Sequence, residues 1–226
     1  MRVIFNEEMK AVADDLDHMA QSVRKAIRGA GEALLESNVE AAQAVIDGDA
    51  ELDALQESVV DQCVKLLAKQ NPVATDLRVV VSTMRLAITF ERMGDLAKHV
   101  AEASRRAYPA SPLPEEAKES FTKMQEFLDE TSDNLVAMLA DRDAKTAERI
   151  ILEDDKLDAL HQQTFDLALN EDVEMTRQQI IDLVLLGRFL ERLGDHAVSA
   201  ARQVVFIVSG FDPSKTPGPD KEGMTE

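Results

Sequence analysis

Two short stretches of this sequence hold carboxylates at a spacing that could grip a cation. Glu91 is followed four residues later by Asp95, and Glu191 by Asp195, each pair inside a Glu-Arg-x-Gly-Asp run. Upstream of each, the spacing recurs as Asp49 with Asp53 and as Asp154 with Asp158. On a helix, residues four apart stand on one face with their Cβ atoms ~6 Å apart. Four acids gathered where two such helices meet repel one another. At ~6 Å and an effective dielectric of ~20 each close pair costs about 3 kcal/mol, falling below about 1 kcal/mol in water. Either the faces diverge into solvent or a cation sits between them. Oxygen donors favour hard ions, so divalent or trivalent metals are the candidates: iron, Mn, Mg or Ca, with Zn also compatible.

A plainer reading stands beside this one. With 43 acids in 226 residues, acidic pairs four apart arise by chance, and Asp129 with Asp133 is such a pair without a first-half counterpart. What favours a site is recurrence at equivalent positions, each time beside a glycine. Gly94 and Gly194 fall inside helix-forming sequence, where glycine costs ~1 kcal/mol relative to alanine. Their repetition points to close backbone approach or to access for a ligand. The neighbouring Arg92 and Arg192 serve equally well as ion-pair partners or as surface residues. His99, one turn after Asp95, could extend the ligand stripe, although Ser199 replaces it in the second half. His196 points some 100° away from Asp195 and reads as a hydrogen-bonded helix residue. His18 and His161 are expected at or near the surface without chemistry, and Met84, Met93 and Met138 in the core.

The elements that must position these acids follow from the breakers. The seven prolines all lie at 72, 109–114 or 213–219, leaving long stretches rich in Ala, Leu, Glu, Gln, Lys and Arg that favour helix. Six long helices are expected, at about 4–36, 39–69, 73–107, 115–140, 144–169 and 173–209. Asn38 and Asp143 are the expected caps of the second and fifth, and the second must stop before Pro72. The halves repeat: Phe90–Ala97 matches Leu190–Ala197 at an offset of 100, and Leu52–Leu55 matches Leu157–Leu160 at an offset of 105. A shorter connection between the fifth and sixth helices would account for the difference. The fold class is therefore all-α, two tandem antiparallel three-helix bundles related in sequence. Residues 1–109 form the first, 110–209 the second, with Pro109–Pro114 as linker and 210–226 as a disordered tail. The seam of Leu86, Phe90, Met93, Ala97 and Val100, spaced at three and four, is a core face.

Composition removes several functions. A net charge of −18 and a pI near 4.6 argue against nucleic acid, whose phosphates are met by Lys and Arg, and against anionic lipid. One cysteine excludes an internal disulfide and CxxC chemistry; Cys63, in VVDQCVKLL, reads as a small buried hydrophobe. The N-terminal MRVIFNEEMK lacks the apolar stretch of a signal peptide. Apolar runs such as Val204–Val208 fall far short of the ~20 residues that span a membrane, so a soluble, cytoplasmic protein is expected. There is no phosphate-binding glycine loop, no G-x-S-x-G elbow and no HExxH. The Glu-x-x-x-Asp spacing also differs from the Glu-x-x-His of di-iron oxidases.

With these residues in view, the sequence resembles the PhoU family, the phosphate-specific transport system accessory proteins. The resemblance rests on the duplicated three-helix layout, Asp76-Leu77-Arg78, Glu91-Arg92-Met93-Gly94-Asp95, Glu191-Arg192-Leu193-Gly194-Asp195-His196 and the upstream Asp-x-x-x-Asp pairs. It covers about residues 1–210. It implies two three-helix bundles with metal clusters, often of iron, on Asp49, Asp53, Glu91, Asp95, Asp154, Asp158, Glu191 and Asp195. It further implies a negative regulator of the phosphate regulon, not an enzyme, that links the phosphate ABC transporter ATPase to the phosphate-sensing histidine kinase. Such a protein would lie at the inner face of the membrane through its partners, and the apolar seams of the bundles suit a homodimer. The second half departs from the pattern, with Thr176-Arg177-Gln178 where the first has Asp76-Leu77-Arg78. Since like charges repel, phosphate status is expected to arrive through the transporter rather than by direct binding. A metal-dependent phosphatase or oxidase, and a purely structural scaffold, are the alternative readings.

Overall fold

The computed structural model describes residues 2–210, so the tail expected to be disordered lies, apart from Gly210, outside the described residues. Helices run at α1 (Arg2–Glu36), α2 (Val39–Gln70), α3 (Ala74–Ala107), α4 (Lys118–Asp141), α5 (Ala144–Glu153), α6 (Asp155–Ala168) and α7 (Arg177–Ser209), with a short 3-10 turn at Glu115–Ala117. Among the described residues no strand occurs. The caps form as the sequence demands. The Asn38 side chain accepts from Ala41 N, and Asp143 from Lys145 N, each satisfying a donor that the first turn cannot.

α5 and α6 together make the expected fifth helix, interrupted at Asp154. The backbone there stays helical (φ −56°, ψ −40°), but Asp154 O receives Leu157 N at 3.0 Å and Asp158 N only at 3.4 Å. The described residues thus form six rods, one of them broken. A second expectation is corrected: the connection before the last helix is longer than its first-half counterpart. α2 is separated from α3 by residues 71–73, whereas residues 169–176 separate α6 from α7. The five-residue difference arises because α6 stops about two turns early and α7 starts about one turn late, which together outweigh the longer loop. There Asn170 Oδ1 accepts from Asp172 N, offering the chain a turn in place of another helical hydrogen bond. Thr176 and Gln179 then form a reciprocal capping box for α7, so Thr176, the first residue that departs from the Asp-Leu-Arg pattern, serves as the helix cap.

The halves pack face to face. α3 lies antiparallel to α7, with Arg78 Nη2 donating to Ile207 O at 3.2 Å near one end and Arg106 paired with Asp182 near the other. α1 lies against α4, where Arg28 pairs with Asp133 at 2.6 Å. Position 133 is position 28 plus the 105-residue offset, so each residue meets its own counterpart, as a two-fold relation between the halves requires. α1, α3, α4 and α7 form the centre, with α2 outside on one flank and α5–α6 on the other. One aliphatic core runs through both halves, including Leu86, Phe90, Met93, Ala97, Val100 and Met138. Cys63 is wholly buried, and burial pushes its thiol up to about 11. Leu113, inside the proline-rich connection, is buried too. Among the described residues no helix is long and apolar enough to cross a membrane.

Candidate functional site

The repeated glycines explain how the acids come to face one another. A Cβ at Gly94 would lie 2.2 Å from Leu52 Cδ2, and one at Gly194 2.5 Å from Leu157 Cδ2. The absent side chain lets a leucine of the neighbouring helix drop into the notch, so α2 closes on α3 and α6 on α7 at the level of the motif. Each leucine immediately precedes an acid, Asp53 or Asp158, and so sets the register of the carboxylates across the seam. Close approach, one of the two expectations for these glycines, is the one realised.

Asp49, Asp53, Glu91 and Asp95 form the first cluster. Burial, then the neighbouring charges of Asp49 and Asp95, hold the Asp53 carboxyl above its usual range. Glu91 is raised by burial and then by Asp95, partly opposed by Arg92. Asp154, Asp158, Glu191 and Asp195 form the second cluster. Asp154 is raised by burial, Asp158 and Asp195; Glu191 is raised by burial and Asp195, with Arg188 opposing. Both groups therefore carry the mutual repulsion that the spacing implies.

Each cluster also holds a cation supplied by the chain itself. In the first, the Lys98 ammonium of α3 reaches across to Asp49 of α2, whose side chain is only 7% exposed. This bond to Asp49 raises the lysine above its ordinary value. In the second, Arg188 binds both oxygens of Glu191, one turn along α7. The sequence reading missed Lys98 and Arg188, although each stands three residues from a motif acid, the spacing of helical neighbours. His161, expected to be without chemistry, lies part-buried near the second cluster. It stands three residues after Asp158, and its pKa is lowered by burial and by Arg188 while Asp158 and Asp195 oppose. Its Nε2 is buried with no hydrogen-bond partner, and its ring lies 5.0 Å from that of Phe165. His99 instead packs its ring 5.3 Å from Phe189 and approaches Glu102 at 3.5 Å, facing away from the acids. Arg92 makes a long, exposed contact with Glu91 at 3.6 Å. His196 is half-buried beside Arg192 and Arg92, which together with burial lower its pKa. The Asp129–Asp133 pair belongs to the contact between halves, Asp133 binding Arg24 and Arg28.

The donor chemistry of both clusters suits a hard cation: carboxylate oxygens whose repulsion a positive charge would relieve. With Lys98 and Arg188 in place, however, no three His, Cys, Asp or Glu side chains among the described residues converge so as to hold a metal ion.

The PhoU domain model matches this chain twice, over residues 16–104 and 121–204, one match in each half. The chain belongs to the PhoU family. It is 34% identical to the phosphate-specific transport system accessory protein PhoU homolog 1 of Mycobacterium tuberculosis over 215 residues, covering 95% of this chain and 97% of that one. Homolog 2 of the same organism is 33% identical over 213 residues, covering 94% of this chain and 100% of that one. The fold is that of the PhoU crystal structure from Pseudomonas aeruginosa, with a TM-score of 0.83 and 25% identity, covering 92% of this chain and 100% of that one. The phosphate transport system regulatory protein PhoU from Streptococcus pneumoniae superposes with a TM-score of 0.81 at 24% identity, covering 92% and 98% respectively.

Proposed function

We propose that this chain is a metal-binding regulatory adaptor. It represses the phosphate-starvation response and modulates phosphate uptake by coupling the phosphate ABC transporter ATPase to the sensor histidine kinase. One observation carries the reading: relatives aligned over nearly its whole length are named accessory proteins of the phosphate-specific transport system. Two carboxylate clusters, placed on the seams between a flanking rod and a central one, support a metal role. An adaptor works by contact, and the rods expose apolar side chains such as Ile181, Leu185, Leu152 and Leu169. Such side chains suit partner proteins or a second copy of this chain, in the cytoplasm at the membrane's inner face.

The test is expression of this gene in a bacterium deleted for its own members of the family. Alkaline phosphatase output in phosphate-rich medium should be constitutive without the gene and repressed with it. Output and phosphate uptake that both stay unchanged would reject the regulatory role. Elemental analysis addresses the metal separately. Wild type should carry more bound metal than the Glu91→Ala/Asp95→Ala and Glu191→Ala/Asp195→Ala variants, and equal content in all three would remove the metal from the reading.

A further inference from the structure

We infer that the outer face of the layer formed by α2, α3, α7 and α6 docks a homodimeric protein, which offers one apolar element twice about its two-fold axis and carboxylates near that axis; this rests on the adaptor reading proposed above. Along α3, Leu77, Val81, Arg85, Ile88 and Arg92 follow one another at spacings of three and four, as do Ile181, Leu185, Arg188 and Arg192 along α7. Each set is one outward stripe. Apolar residues mark both ends of the face, at matched positions in the two halves. Val64 of α2 corresponds to Leu169, just past α6, at the offset of 105, and Val81 corresponds to Ile181 at the offset of 100. Val64, Leu169 and Ile181 are 48%, 81% and 52% exposed, and Val81 is partly exposed. Leu52 against Gly94 and Leu157 against Gly194 fix the antiparallel register. It brings Val64 level with Val81 and Leu77, and Leu169 level with Ile181 and Leu185. Single exposed apolar residues are ordinary on a protein surface. Here the matched positions have changed identity yet kept apolar character, while Lys98 has become Val198 and Gly29 Asn134.

Between the two ends, Arg92 and Arg192 are also matched, and both bear on His196 at the α3–α7 seam. The Arg92 side chain is 60% exposed with only a long contact to Glu91, and Arg192 is exposed without an ion pair among the described residues. Two exposed guanidinium groups at the centre of a chain of net charge −18 select carboxylates there, and the surrounding acids exclude them elsewhere on the face. The ends stand ~35 Å apart along the helices. Matched patches meet a partner in the same way only when it repeats its own element about a two-fold axis. A single helix laid along the stripe has a direction and meets the ends differently. A second copy of this chain, face to face, sets the arginines of the two centres against each other. The remaining occupant is an apolar, locally acidic dimer, held at both ends at once.

The experiment titrates the full chain against the two partners of the adaptor reading, the transporter ATPase subunit and the detergent-solubilised histidine kinase. Calorimetry gives Kd, and sedimentation velocity gives the mass of the complex. At least one partner should bind as one chain per partner dimer. Val64→Gln/Leu77→Gln alters one end and Leu169→Gln/Ile181→Gln the other; all four residues are exposed, so helical content and melting temperature should stay near those of wild type. Each double variant should weaken binding roughly ten-fold, and their combination roughly a hundred-fold. Arg92→Gln/Arg192→Gln should flatten the salt dependence of Kd. Leu152→Gln, exposed on α5 and two residues from Asp154, hence on the far side of that rod, should bind as wild type does. Unchanged affinity in the combined variant, loss from one end only, or two chains per partner dimer would each overturn the inference and leave the adaptor reading standing. Self-association of wild type that the combined variant abolishes would assign the face to a second copy instead. Binding of neither partner would overturn the inference too, and failure of the gene to restore alkaline phosphatase repression would then remove the adaptor reading with it.

Discussion

In the first half a lysine on α3 neutralises an acid on α2; in the second an arginine on α7 neutralises an acid on α7 itself. The first arrangement staples two helices together across the seam. In the second, Asp154 of the flanking rod faces Asp158 and Asp195, and Arg202 of α7 offsets them only in part. The rods differ as well: α2 runs unbroken past Asp49, whereas its counterpart is interrupted at Asp154. A second contrast lies on the outer face. Between α1 and α2 the first half has a groove of about 640 Å³, bordered by Gly29, Ala44 and Gly48. The equivalent positions of the second half are Asn134, Arg149 and Glu153, and there Arg149 bonds Asn134 across the space. Duplication has kept the helix packing that brings the acids together and let the charges around them diverge.

The comparison can be broken at its shared part first. Leu52→Ala and Leu157→Ala each empty the notch above a glycine, and each should cost about 2–5 kcal/mol in urea denaturation. The halves should respond alike; a loss under about 1 kcal/mol at either would show that the leucine–glycine contact does not set that seam. Where the halves differ, the losses should differ. Without metal, Lys98→Met should cost roughly 1–3 kcal/mol by leaving Asp49 buried and unpaired, while Arg188→Met, which leaves the similarly buried Glu191 unpaired but breaks no link between helices, should cost the smaller part of that range. Equal losses would erase the distinction between the two counter-ions.

The pH dependence comes next. Asp53, Glu91, Asp154 and Glu191 are raised above their ordinary values of 3.8 and 4.5 by burial and by neighbouring acids. The folded state therefore binds their protons more strongly than the unfolded chain does. The stability they contribute is full below the ordinary carboxylate range and is lost as pH rises through the raised folded values. In chelated protein, wild type should thus lose stability relative to Asp53→Asn/Glu91→Gln as the pH climbs from about 4 to 7, followed by differential scanning calorimetry. Parallel profiles for the two proteins would show that the first cluster carries no net repulsion. The smallest effect belongs to the groove. A Cβ at Gly48 meets nothing within 4 Å, so Gly48→Ala should raise stability by about 0.5–1 kcal/mol through helix propensity alone. A loss on the same urea scale would mean that the groove floor is tighter than its geometry shows.

Much of this was legible in the chain itself. The period of three and four in Leu86, Phe90, Met93, Ala97 and Val100, the proline positions and the capping residues Asn38 and Asp143 are local signals, and local energetics decide them. The repeated Glu-Arg-x-Gly-Asp run likewise marked both the duplication and the acids, because a helix fixes which residues share a face. The break at Asp154, the early stop of α6 and the partners of His99 were not legible, since each depends on competing hydrogen bonds or on the face another helix presents. The same holds for the counter-ions. Lys98 and Arg188 were visible as charges three residues from a motif acid, but only the closure of α2 on α3 shows that Lys98 crosses to Asp49 while Arg188 stays on its own helix. Sequence spacing determined which carboxylates stand together on each helix. The tertiary structure decided which of them is already neutralised, because an ammonium's choice of partner is set by distances between helices that no spacing along one chain encodes.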